Sequence, residues 1–153
     1  KTPRHRRSSL WRSSRDSART PMQWSDEANA GFTIGEPWFY VNQNYKEINV
    51  AAEERDPDSL LNFYRRAVAL RKSLPVVRYG TYRERLRASG KLYAYEREYE
   101  GARLLVVCSF SDKPVTLPHR ITRGAGELIL CNYPDGDSPT LRPYEARVYS
   151  TEK

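Results

Sequence analysis

The spacing of apolar positions changes twice along the chain and divides it into three segments. Residues 1–55 show no sustained period and are rich in Asn, Ser, Asp, Gly and Pro, so we expect a long irregular loop. From residue 56 to 74, apolar residues recur at intervals of three and four, which predicts an amphipathic helix. Residues 76–153 contain short apolar or alternating runs separated by turn residues. That pattern predicts an antiparallel sandwich of about six strands.

The ends of the predicted helix are marked by polar residues and prolines. Asp56 is the expected N-cap, and Pro57 suits the first helical position, where a missing N–H costs nothing. Arg71 and Lys72 favour the C-terminal end of the helix dipole, and Pro75 is expected to end the helix. The predicted apolar face consists of Leu60, Phe63, Tyr64, Ala67, Val68, Leu70 and Leu74.

The expected strands differ in their apolar pattern. The continuous apolar run Leu104–Phe110 predicts a central strand, whereas alternation over Lys91–Glu98 predicts a half-exposed one. Further strands are expected at 76–82, 82–86, 115–117, 127–133 and 141–150.

Composition and cysteine usage limit the environment of the protein. With 153 residues, 39% of them apolar and 29% charged, and a mean hydropathy of -0.79, the chain suits a water-soluble globular protein. No run approaches the roughly 18 apolar residues of a membrane span, and no apolar stretch of a signal peptide follows the basic start. Cys108 and Cys131 both lie in apolar runs and are expected to be buried free thiols, although a bridge would form if their strands were adjacent. We therefore expect a cytoplasmic location and no membrane partner.

The net charge of +7 is concentrated at one end of the chain. Residues 1–19 hold seven Lys or Arg residues and one acid, whereas the rest of the chain holds 19 bases and 18 acids. A nucleic-acid-binding domain would carry basic residues across a folded face, so we favour a solvated terminus over a nucleic-acid partner.

Common catalytic and metal-binding motifs are missing from the sequence. His5 and His119 have no Cys or carboxylate at ligand spacing, and Asp135-Gly136-Asp137 has too few further oxygens for a calcium loop. We find no phosphate-binding glycine loop and no serine-nucleophile motif. We therefore expect no metal and no cofactor.

One loop stretch, residues 15–24 with the sequence RDSARTPMQW, combines groups that suit sugar recognition. The guanidinium groups of Arg15 and Arg19 can hold hydroxyls or a carboxylate with paired donors, and the indole of Trp24 can stack on a pyranose. Asp16 in the same stretch argues against a phosphate site. Ion pairs and aromatic packing that simply stabilise the loop explain this composition equally well.

The same stretch resembles a signature of α-glucosidases in the α-amylase family, glycoside hydrolase family 13. The resemblance extends over about residues 13–150, in ungapped strings of uncommon residues. Further matching strings lie at 29–33, 35–38, 41–50, 58–64, 70–72 and 141–146. Gln43 departs from the family pattern, which has proline in that turn.

This resemblance implies an α+β fragment of a larger enzyme. Residues 1–55 would be the last βα loop of a (β/α)₈ barrel, on the face that carries the active site. Residues 56–75 would be the last barrel helix, and residues 76–153 an antiparallel C-terminal β-sandwich. Residues 1–12 do not resemble the family and are expected to be disordered or spurious.

The resemblance also implies retaining hydrolysis of glycosidic bonds by an Asp nucleophile and a Glu acid and base. In the family these groups precede the segment seen here, so this chain has no catalytic residue and is expected to be inactive alone. Arg15 matches an arginine that pairs with an upstream Asp and hydrogen-bonds the glucose at the non-reducing end. Arg19, Gln23 and Trp24 match the same signature and are expected to shape the loop or the aglycone side. The expected partners are an oligosaccharide and the missing barrel; a non-catalytic β-domain is the alternative.

Overall fold

The protein is represented by a computed structural model that describes residues 18–136 and 138–152. Arg15 and residues 1–12 lie outside this range. The chain divides into two compact units, one ending at Asn62 and one beginning at Phe63.

The first unit is built from short turns and one short helix. Turns of 3₁₀ helix lie at Ala28–Gly31 and Gln43–Lys46. The φ angles of Asn29, Ala30 and Gly31 are 52°, 58° and 65°, so the chain doubles back at this point. The carbonyl of Ala30 consequently accepts hydrogen bonds from the backbone N–H groups of Trp24 and Ser25, at 2.8 and 3.1 Å.

A helix at Val50–Arg55, named α1, corrects the expectation of an irregular loop through residue 55. Asn49 is its N-cap, because the side-chain oxygen accepts the N–H of Ala52 at 2.9 Å. With only six residues, α1 is too short to produce a readable apolar period.

The next helix, α2, spans Leu60–Ser73, so the predicted start at Asp56 was wrong. Asp56 instead follows α1 as its C-cap, and its carboxylate accepts the N–H of Asp58 at 2.9 Å. The hydroxyl of Ser59 caps α2 by accepting the N–H of Asn62 at 3.2 Å, and it also donates to the carbonyl of Glu53 at 2.6 Å. The carboxylate of Asp56 bonds within the turn before α2, so Ser59 and not Asp56 is the N-cap of this helix.

A third helix, α3, occupies Pro75–Tyr79, where the sequence suggested a strand. Pro75 ends α2 as expected, but its fixed φ also suits the first turn of a new helix. Gly80 is the C-cap of this helix, and an added Cβ at that position would clash with the carbonyl oxygen of Val76.

The strands of the second unit are β1 (Arg83–Arg85), β2 (Leu92–Tyr99), β3 (Ala102–Ser109), β4 (Val115–Thr116), β5 (Glu127–Cys131), β6 (Thr140–Leu141) and β7 (Ala146–Ser150), and a short helix, α4, lies at His119–Thr122. Five strands form an antiparallel sheet with the order β1-β2-β3-β7-β5, and β4 and β6 form a two-stranded antiparallel sheet. The prediction of a central strand at 104–110 is confirmed in β3. The predicted strand at 141–150 is two strands, because the positive φ of Tyr144, 56°, interrupts it.

Both faces of the five-stranded sheet are covered by apolar side chains. Because side chains alternate along β3, Leu104 and Val106 pack on one face with Leu74 and Val76. The opposite face has a larger cluster, which consists of Leu92, Ala94, Leu105, Val107, Leu117, Ile121, Ala125, Leu141 and Tyr149. The five-stranded sheet therefore lies between α3, together with Leu70 and Leu74 before it, and a layer that contains β4, β6 and α4.

The two cysteines are free and partly buried, so they are less buried than expected. Cys108 packs with Leu104 and Val106, whereas the thiol of Cys131 lies 3.4 Å from the carboxylate of Glu145, beside Arg147. The thiols therefore lie on opposite faces of the sheet, which excludes the bridge that the sequence left open.

Candidate functional site

The backbone of Gln23 and Trp24 lies across the first turn of α1. The carbonyl of Gln23 accepts the N–H of Val50 at 2.9 Å, and the carbonyl of Trp24 accepts the N–H of Ala51 at 3.0 Å. These bonds satisfy helix amides that would otherwise have no partner within the helix. The Arg19–Trp24 segment, which carries three of the four candidate residues, is therefore anchored at its C-terminal end.

Side chains of the Arg19–Trp24 segment have different surroundings. The amide of Gln23 donates to the carbonyl of Ile48, so this group is occupied within the loop. Arg19 is exposed, and Met22 and Trp24 are 50% and 51% exposed, respectively. Pro21, which lies between Arg19 and Met22 in the sequence, is buried. Gln23 thus has the geometry of a loop-shaping residue, whereas Trp24 and Arg19 are accessible to a ligand.

Three side chains outside the signature stabilise the same loop and were missed in the sequence. The amide of Asn29 donates to the carbonyls of Thr33 and Gly35 at 3.2 and 3.0 Å, and Lys46 donates to the carbonyl of Asp26 at 2.7 Å. The buried amide of Asn49 donates to the carbonyl of Tyr45 at 2.9 Å. A signal existed only for Asn49, which precedes the short apolar run Val50-Ala51-Ala52 as an N-cap would.

Acidic residues near the helix starts are used for local structure. The carboxylate of Glu53 accepts the N–H of Leu61 at 3.1 Å, and that of Asp56 accepts the N–H of Asp58. Within residues 18–136 and 138–152, no three His, Cys, Asp or Glu side chains come together in a way that could hold a metal ion.

The carboxyl group of Glu145, in the second unit, has a strongly lowered pKa and is fully buried. Burial alone would raise its pKa, but hydrogen bonds from Arg147 Nε at 2.8 Å and from the backbone N–H of Arg142 at 2.7 Å lower the pKa to about 2. The side chain of Arg142 adds a third contact at 3.3 Å and also pairs with Asp135 at 2.7 Å. Glu145 is therefore an ionised structural group at neutral pH and not a proton donor.

Comparisons with known proteins identify the family to which the chain is similar. The family model described as "Alpha amylase, catalytic domain" matches residues 1–80. The chain is 46% identical to oligo-1,6-glucosidase of Parageobacillus thermoglucosidasius over 142 residues, which cover 88% of this chain and 25% of that protein. It is 41% identical to trehalose-6-phosphate hydrolase of Escherichia coli K12 over 137 residues, which cover 87% of this chain and 25% of that protein.

A solved structure shows the same arrangement. The isomaltulose synthase of Klebsiella sp. LX3 superposes with a TM-score of 0.79 at 39% identity, over 89% of this chain and 25% of that one. The chain belongs to the α-amylase family, and it corresponds to an α-glucosidase-type C-terminal portion like that of oligo-1,6-glucosidase. It spans about a quarter of the length of the curated relatives it matches.

None of the helices in the described ranges is both long enough and apolar enough to cross a membrane.

Proposed function

We propose that this chain is the C-terminal part of a retaining α-glucosidase of the oligo-1,6-glucosidase type, acting in carbohydrate metabolism. The observation that supports this proposal most strongly is the sequence signature at residues 15–24, set in a chain that is 46% identical to an oligo-1,6-glucosidase. The nucleophile and the acid would come from the part of the relatives that has no counterpart in this chain. The chain alone is therefore inactive, because removing both groups abolishes nearly all rate enhancement.

The four signature residues have distinct roles in this proposal. Arg15 pairs with an upstream Asp and binds the glucose at the non-reducing end, which closes the pocket and favours release of one glucose. Trp24 and Arg19 face the aglycone, in agreement with their exposed side chains. Gln23 shapes the loop, since its amide is bonded to Ile48.

The domain assignment forms part of the same proposal. The segment up to Arg55, which ends in α1, lies on the active-site face; α2 is the last barrel helix; and the residues from Pro75 onward, which begin with α3, belong to a C-terminal β-sandwich domain. The apolar face of α2 supports it, because no residue of α2 is buried and Leu60 and Tyr64 are 76% and 68% exposed. We infer that the preceding barrel strands, which the relatives contain and this chain lacks, cover that face.

The proposed partners and cellular location belong to the same proposal. The partners are the missing barrel and an oligosaccharide, with no nucleic acid and no membrane. The enzyme acts in the cytoplasm, where the free thiols of Cys108 and Cys131 would stay reduced.

A chimera tests the proposed function. Residues 13–153 replace the matching C-terminal quarter of the Parageobacillus oligo-1,6-glucosidase, and hydrolysis of p-nitrophenyl α-glucoside is measured. We expect activity within about tenfold of the parent, since the catalytic carboxylates are supplied by the parent. A folded chimera without activity would contradict the proposal, and so would turnover by the 153-residue chain alone.

A second candidate is the tail of a trehalose-6-phosphate hydrolase or a sucrose isomerase, which the similarities to both kinds of protein favour. The full-length protein that carries this chain would separate the three activities. We expect it to release glucose from isomaltose, while cleavage of trehalose 6-phosphate or rearrangement of sucrose would identify the alternative.

A further inference from the structure

The backbone of Trp24 is hydrogen-bonded to the first turn of α1. Both carbonyls that anchor the loop, those of Gln23 and Trp24, bond to the first two amides of this helix. The N–H of Trp24 is held from the other side by the carbonyl of Ala30, at 2.8 Å. A rotation of the first turn would therefore move the backbone that carries the Trp24 indole.

Asn49 fixes that turn through two separate bonds. Its oxygen accepts the N–H of Ala52 at 2.9 Å, and its amide nitrogen donates to the carbonyl of Tyr45 at 2.9 Å. The residue is only 6% exposed, so water cannot readily replace either bond. One bond closes the helix end, and the other ties the helix to the 3₁₀ turn before it.

We propose that Asn49 is a positioning residue for sugar binding, acting through α1 on Trp24. It does not contact the substrate itself; it holds the turn whose amides hold the indole-bearing segment. The sugar-binding part of this inference rests on the proposed function, whereas the coupling of Asn49 to Trp24 does not.

Three substitutions separate the two bonds. Asn49→Asp and Asn49→Ser keep an oxygen that can cap α1 but remove the amide N–H that donates to the carbonyl of Tyr45, and Asn49→Ala removes both groups. Asn44→Ala is the matched control, because Asn44 is an exposed asparagine of the same turn. All variants are made in the 153-residue chain with Trp11 and Trp38 replaced by Phe, which leaves Trp24 as the single tryptophan, and tryptophan emission is excited selectively over that of tyrosine.

The first readout is quenching of Trp24 fluorescence by iodide. We expect Asn49→Ala to raise the quenching constant about twofold, because losing the cap increases the frayed population of the first turn. Asn49→Asp and Asn49→Ser should give a smaller rise, and Asn44→Ala none. If Asn49→Ala unfolds the chain, the Asp and Ser variants decide the matter. Unchanged Trp24 quenching in the folded variants would overturn the coupling.

The second readout uses the chimera and separates positioning from general stability. With p-nitrophenyl α-glucoside, Asn49→Ser should raise KM about fivefold and leave kcat within about twofold, since the reacting groups are untouched. An unchanged KM would contradict the proposed role in sugar binding. If the unsubstituted chimera is inactive, the proposed function fails, and iodide quenching still decides whether Asn49 positions Trp24.

Discussion

At the residue scale, the arrangement around Glu145 shows how a buried charge is tolerated in the second unit. Arg147 is 1% exposed and donates to Glu145, to the carbonyl of Thr140 at 3.2 Å and to the carbonyl of Ser138. Arg142 joins the same carboxylate to the exposed Asp135. Such a buried pair is costly to break, because the remaining partner stays buried without its counter-charge.

Glu145→Gln is therefore expected to destabilise the protein by about 3 kcal/mol, since it leaves Arg147 buried without an anionic partner. The free energy of unfolding in urea, followed by far-UV circular dichroism, measures the effect. Asp135→Asn is the matched control, because it removes the exposed partner of the same Arg142 and should cost far less. An equal loss of unfolding free energy in the two variants would show that burial does not determine how much each acid contributes to stability.

The same carboxylate predicts a dependence of stability on pH. The folded pKa of Glu145 is lowered from 4.5 to about 2, so its contribution is fully present above pH 4.5 and is lost as the pH falls toward 2. Urea midpoints at several pH values should fall over this window, and the fall should be smaller in Glu145→Gln. A parallel fall in both proteins would assign the acid sensitivity to other carboxylates.

At the element scale, the sequence predicted helices and strands that have a sustained apolar period. It did not predict helix ends, which depend on the hydrogen bonds of individual side chains. The central strand β3 and the body of α2 were predicted, because a long apolar run and a sustained helical period are averages over many residues. The start of α2 was misplaced by four residues, since Asp56-Pro57 and Ser59 are both plausible helix starts. The candidate signature was recognisable, but its support by Asn49 was not, because that residue lies 26 positions beyond Gln23.

The two possible starts of α2 can be distinguished by experiment. Ser59→Ala should cost about 1 kcal/mol and accelerate hydrogen exchange at the amide of Asn62, because the hydroxyl of Ser59 accepts that N–H. Asp56→Ala keeps this cap and should leave the exchange of the Asn62 amide nearly unchanged. Faster exchange in Asp56→Ala than in Ser59→Ala would restore Asp56 as the residue that begins the helix.

At the scale of the whole molecule, apolar side chains are buried around the five-stranded sheet and exposed along α2. Buried apolar clusters lie on both faces of the five-stranded sheet, whereas α2 has no buried residue along its length. The region that matches the family model, residues 1–80, includes this exposed helix.

The most direct test of the central proposal is the effect of Arg15 on the activity of the chimera. Arg15→Ala should lower kcat/KM for p-nitrophenyl α-glucoside at least about a hundredfold, because a group that orients the glucose ring is lost while the carboxylates remain. Arg19→Ala, at the other arginine of the signature, should lower it less. If Arg15→Ala leaves kcat/KM unchanged in a folded, active chimera, residues 15–24 do not line the glucose pocket.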